Sequence, residues 1–99
     1  MPKFDIADTA SYAEFLAKYP HLTDALSSGA INLVESEVAL VAYEVRPLFQ
    51  TILVHGTVVR QTGEAAEIAL GQFITQEMET WKCPYLVTVS TLFDSSIKA

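Results

Sequence analysis

The run from Glu37 to Val45 constrains this chain more than any other stretch. Val38-Ala39-Leu40-Val41-Ala42-Tyr43 places apolar side chains at successive positions. Side chains alternate across a pleated strand, so such a run has two faces to bury. Parallel strands flanked by crossover helices are the usual setting for it. Arg46-Pro47 closes the strand, because proline cannot continue the ladder of a central strand.

The neighbouring segments are read by period. Phe49 to Arg60 predicts a second strand, with Leu53, His55, Thr57 and Val59 on one side and Ile52, Val54, Gly56 and Val58 on the other. Gly56 inside it signals a bulge or a close backbone approach. Glu64 to Trp81 predicts a helix, since Ala65, Ile68, Ala69, Phe73, Ile74, Met78 and Trp81 hold a helical spacing with glutamates and glutamines opposite. After Cys83-Pro84, the Val- and Thr-rich segment Tyr85–Phe93 reads as a last strand.

At the other end, Phe4 and Ile6 alternate with Lys3 and Asp5, which predicts a short opening strand. Residues 9 to 28 follow as a helix kinked at Pro20. Tyr12, Phe15, Leu16, Tyr19, Leu22, Ala25 and Leu26 form its apolar face, and Ser27-Ser28-Gly29 stops it. Asp8 to Ser11 are capping residues, and Ser11 with Glu14 has capping-box spacing.

The order is strand, helix, strand, given twice. We therefore expect one domain over residues 1–99, built from β-α-β units at 1–46 and 47–99. The expected class is α/β (α+β), a four-stranded mixed sheet with two helices on one face. The opposite face is then bare. With 51% apolar residues in so short a chain, covering it with another copy is the simplest solution.

Charge excludes some functions. The net charge is −6, and Lys3, Lys18, Arg46, Arg60, Lys82 and Lys98 are scattered, so no phosphate-binding track exists and nucleic acid is not an expected partner. No apolar run reaches the ~20 residues of a membrane span, and Pro2 and Asp5 spoil a signal peptide. We expect a cytoplasmic protein without a membrane partner. Cys83 is the single cysteine, and His21 and His55 are far apart, so neither a metal site nor a cofactor is expected. A packed, hydrogen-bonded role is the expectation for His55, and a structural one for Cys83.

The residue with chemical potential is Pro2. With Met1 removed it carries a secondary amine, and an α-amino group titrates at roughly 7.7–8.0, within reach of a base working near neutrality. Three stretches add to this: Met1-Pro2-Lys3-Phe4-Asp5-Ile6, Val38 to Val45, and Val54-His55-Gly56-Thr57-Val58-Val59 followed by the Glu64–Trp81 helix. Together they resemble the tautomerase superfamily.

That resemblance implies Pro2 as general base, moving a proton in a small enol or keto acid within a pocket between subunits of a homotrimer. It implies Arg60 and Tyr85 as polarisers of the developing enolate and Lys3 as a charge that lowers the amine's pKa. The arginines of the short tautomerases would fall near Tyr12 and Ala39, leaving Tyr12 as a neutral donor. The alternative is a non-catalytic oligomeric module of the same fold that binds a protein partner or small ligand. The missing arginines favour it, and so does a retained Met1, which would make the Pro2 nitrogen an amide.

Overall fold

The computed structural model describes residues 3–61 and 63–88. Its elements are β1 (Asp5–Ile6), α1 (Thr9–Lys18), a 3-10 turn (Pro20–Leu22), α2 (Thr23–Ser27), β2 (Asn32–Glu35) and β3 (Ala39–Arg46). A second 3-10 turn (Pro47–Phe49), β4 (Thr51–Val59), α3 (Glu64–Trp81) and β5 (Tyr85–Thr88) complete it. The fold is mixed α+β.

Among the described residues the sheet has five strands in the order β1-β2-β3-β4-β5, one more than the sequence reading expected. The extra strand is β2, where Leu33 and Val34 face opposite cores and Asn32 faces water. It stands between β1 and β3, pairing Asp5 with Glu35 on one side and Asn32 with Tyr43 on the other, both antiparallel. β3 and β4 form an antiparallel hairpin, and only β4 and β5 run parallel. The two halves are therefore not copies of one unit. The second half is a β-α-β crossover, and the first feeds a meander.

The helices lie on opposite faces, not on one. α1 and α2 put Phe15, Tyr19, Leu22 and Leu26 against Leu33, Leu40 and Ala42. α3 puts Leu70, Phe73, Ile74 and Met78 against Val34, Val41, Tyr43, Ile52 and Val54. β3 is central, and Ala39 to Ala42 are fully buried. Its unbroken apolar run is explained by a helix on each side rather than by parallel pairing. The bare sheet face that called for a second copy is thereby covered.

Local chemistry fixes the joints. Asp8 caps α1, its Oδ1 accepting from the Ser11 N–H at 2.8 Å. That bond holds the Asp8 carboxyl below its usual range. Ser11 is buried beside Glu35, to which its hydroxyl donates, so the Ser11–Glu14 spacing does not form a capping box. Pro20 ends α1 and starts the 3-10 turn, because its ring and missing N–H break the helical ladder. Gly29, at φ +80°, turns the chain from α2 towards β2.

Gly56 combines both readings of a strand glycine. The register passes from Ala42 opposite Gly56 to Tyr43 opposite Val54, leaving His55 unpaired in a bulge. The Tyr19 ring lies on the glycine, so a Cβ there would sit 2.9 Å from Tyr19 Cζ. The Tyr19 hydroxyl donates to Thr57 O at 3.1 Å and accepts from Thr57 N–H at 3.3 Å.

Candidate functional site

The candidate residues do not converge within one chain. Pro2 lies outside the described residues. Its neighbour Lys3 is exposed and, with Phe4, lines a surface cavity of about 400 Å³ completed by Ala69, Gln72, Phe73, Gln76 and Glu77 of α3. Phe4 packs on Phe73 with ring centroids 4.6 Å apart. Tyr12 is half-buried against the α1 core on the opposite face. Tyr85 opens β5 beside Thr51, whereas Arg60 follows Val59 at the other end of β4.

β4 runs antiparallel to β1 in direction, but β2 and β3 lie between them. Arg60 does not reach the cavity floor on the α3 side. Its guanidinium is spent on the α1 side. Nη2 donates to Glu14 Oε1 at 2.8 Å and to Ser11 Oγ at 2.9 Å, and Nη1 donates to Ser36 O at 2.9 Å. Glu35 Oε2 is 3.5 Å away. The arginine holds the Glu14 carboxyl below its usual range, and Glu14 raises the guanidinium in return. This network ties α1 to β2 and to the end of β4, and leaves the fork little to offer a ligand.

A second polar cluster surrounds Glu44. Arg46 Nε donates to its Oε2 at 2.9 Å, and His55 Nε2 lies 3.0 Å from its Oε1. Arg46 is the larger cause, and His55 the smaller, of a depressed Glu44 pKa. The bulge aims His55 at this carboxylate, so the histidine has a structural partner.

Sequence reasoning did not anticipate the hydrogen bonds made by Glu77, which lines the cavity. Tyr43 Oη donates to Glu77 Oε1 at 2.7 Å, and Trp81 Nε1 donates to the same oxygen at 3.4 Å. Burial, then the Glu77 carboxylate, push the Tyr43 hydroxyl well above the usual phenol range. The pair is a fixed neutral donor and a fixed acceptor, positioned by packing of Tyr43 on Phe73.

The other unanticipated feature is a surface. Leu48, Phe49, Trp81, Tyr85, Leu86 and Val87 are all exposed, Leu48 to 94%, Phe49 to 69% and Tyr85 to 61%. The Tyr85 N–H donates to Gln50 O at 3.2 Å, which joins the β3–β4 hairpin tip to the start of β5. That bond sets the Leu48–Phe49 turn beside Tyr85. Alternation along β5 puts Tyr85 and Val87 on one sheet face and Leu86 on the α3 face, so the exposed side chains flank this edge of the sheet on both faces. The sequence held its signal: Pro47 to Val59 and Cys83 to Phe93 contain no Asp, Glu, Lys or Arg. In a chain of net charge −6, the described parts of the two longest uncharged stretches pair as β4 and β5.

Comparison with protein-family models, curated proteins and solved structures yields no significant match to this chain. Among the described residues, no helix is long and apolar enough to cross a membrane.

Proposed function

We propose that this protein is a non-catalytic assembly module, an oligomeric subunit that works by associating through the uncharged β4–β5 corner. The carrying observation is the exposure of Leu48, Phe49, Trp81, Tyr85, Leu86 and Val87 along the β3–β4 turn, the end of α3 and the β5 edge. Apolar patches of this kind on small chains mark contact surfaces, and depletion of charge is the compositional sign of an interface core. The scatter of Lys3, Tyr12, Arg60 and Tyr85 over separate regions agrees with a module rather than a single-chain active site. The test is the size of the protein in native extract and after purification. The reading expects a species larger than the 10.9 kDa chain, reduced to a monomer by the double change Leu48→Asp, Phe49→Asp with the circular dichroism unchanged. A monomer in both preparations refutes it.

A second reading is favoured by the cavity that Lys3 and Phe4 line. It keeps the keto-enol tautomerase chemistry, with Pro2 as base one residue from Lys3. Gln72 and Gln76, which line that cavity, take the place of the missing arginines as neutral donors. Intact mass tells whether Met1 is removed and the amine is free. Turnover of the enol of phenylpyruvate that vanishes in Pro2→Ala would support this reading. A retained methionine or equal rates would dismiss it.

A further inference from the structure

We infer that the partner at this corner is a second copy of the same chain, joined edge to edge through β5. This rests on the assembly reading and names its occupant. Among the described residues β1 and β5 are the two edges of the sheet, and the sequence treats them differently. β1 is two residues long, contains Asp5 and follows Lys3, so charge and shortness blunt that edge. β5 is Tyr85-Leu86-Val87-Thr88, with no charge, proline or bulge to guard it. Because the Tyr85 N–H points to Gln50 O, and N–H groups alternate along a strand, those of Leu86 and Thr88 point away from β4.

A strand meeting its own copy about a two-fold axis pairs antiparallel. Centred on Val87, that pairing sets Leu86 against Thr88 of the partner in both directions, so each copy's outward donors meet the other's outward acceptors. Two such sheets become one.

Charge selects a second copy over a foreign partner. Two chains of net charge −6 repel wherever carboxylates approach, as on the Glu64, Glu67 and Glu79 side of α3. They meet at the β4–β5 corner without that cost. A basic partner drawn by the acidic surface would find no carboxylate on β4 or β5 themselves. The area is adequate too. Exposed aromatic side chains offer up to roughly 150–250 Å² each, so the three and their three aliphatic neighbours, spread over both faces of this edge, present on the order of 500 Å² in all. That matches the apolar share of the ~800 Å² per partner of a stable interface.

The test is sedimentation equilibrium of the purified chain across the micromolar range, with wild type, Leu86→Pro and Val87→Lys. Leu86→Pro deletes an outward N–H and leaves the β4 ladder in place. Val87→Lys keeps every backbone donor and adds a charge to the edge. The expected result is a species of twice the 10.9 kDa chain mass. Both variants should weaken it tenfold or more while keeping wild-type circular dichroism, and the Leu86 and Thr88 amides should exchange slowly in the dimer and fast on dilution. A dimer unaffected by Val87→Lys overturns pairing through β5 and leaves the assembly reading standing. A purified monomer, even one whose Leu86 and Thr88 amides are protected by its own tail, overturns the second copy as partner. In that case a larger species in extract keeps the assembly reading and a monomer there removes it. A trimer overturns the two-fold arrangement.

Discussion

Gly56→Ala measures how tightly α1 is seated on the sheet. A Cβ at this position would lie 2.9 Å from Tyr19 Cζ and 3.0 Å from both Tyr19 Cε2 and Phe15 Cζ. Neither ring moves freely. Phe15 is fully buried, its ring is stacked on Tyr19 at 4.8 Å, and Tyr19 is pinned by both hydrogen bonds to Thr57. Overpacking of this kind costs about 1–3 kcal/mol, and pulling the Tyr19 hydroxyl off Thr57 costs about 1 kcal/mol more. Alanine recovers about 0.5–1 kcal/mol because it loses less backbone freedom than glycine in a strand. The net expectation is a loss of about 1–3.5 kcal/mol, or roughly 4–28 °C in Tm for a domain of this size.

Urea titration followed by circular dichroism gives the number directly. A double-mutant cycle with Tyr19→Leu gives its cause, because removing the ring should return at least half of the Gly56→Ala penalty. A loss below about 0.5 kcal/mol, or full additivity with Tyr19→Leu, would refute close packing of the ring on the glycine.

Three further outcomes are expected. Tyr43 has a raised pKa in the folded protein, so its contribution is whole below the unfolded value of about 10 and is lost as pH rises beyond it; urea midpoints should fall more steeply above that pH in wild type than in Tyr43→Phe. Glu14 and Glu44 have lowered values, so theirs is present above about 4.3 and lost as pH falls. Arg60→Lys keeps the charge but cannot span Glu14, Ser11 and Ser36, and should cost about 1–2 kcal/mol by urea melting while flattening the acid limb. Lys82 ends α3 in the left-handed region at φ 54°, so Lys82→Gly should raise stability by about 0.5–1 kcal/mol, read as a higher Tm.

The sequence made some of this legible. α3 occupies Glu64–Trp81 because a long amphipathic pattern after Gly63 has one good solution. Pro20 divides the first helical region where its ring demands, and Gly56 announced both its bulge and its close contact. β2 escaped notice because it is only four residues long, too short for periodicity to speak. The placement of the helices escaped for another reason. An apolar stripe says which side of a helix is buried, but not which side of the sheet receives it, and the two-faced burial of β3 was assigned to parallel pairing.

Of the candidate site, Pro2 stood out through chemistry alone and lies outside the described residues. Arg60 looked available because a strand-end arginine shows nothing of the glutamates that the fold brings to it. The Tyr43–Glu77 pair joins residues from different elements and could not be read from spacing. The uncharged corner could have been, since two neutral stretches in an acidic chain are visible before any fold is known.

The strand order has a consequence for how the molecule is made. Every strand lies beside the one preceding it in the chain, so nothing synthesised late has to be inserted between strands synthesised early. The meander from Asn32 to Val59 is complete once Val59 has left the ribosome, and its pairings are local and fast to form. β5 cannot arrive until the whole of α3 has been translated. For that interval β4 is the growing edge, with neither a charge nor a proline along it. The same neutrality that suits the finished corner to its partner makes this the stage at which two nascent chains are most exposed to joining each other in the wrong register.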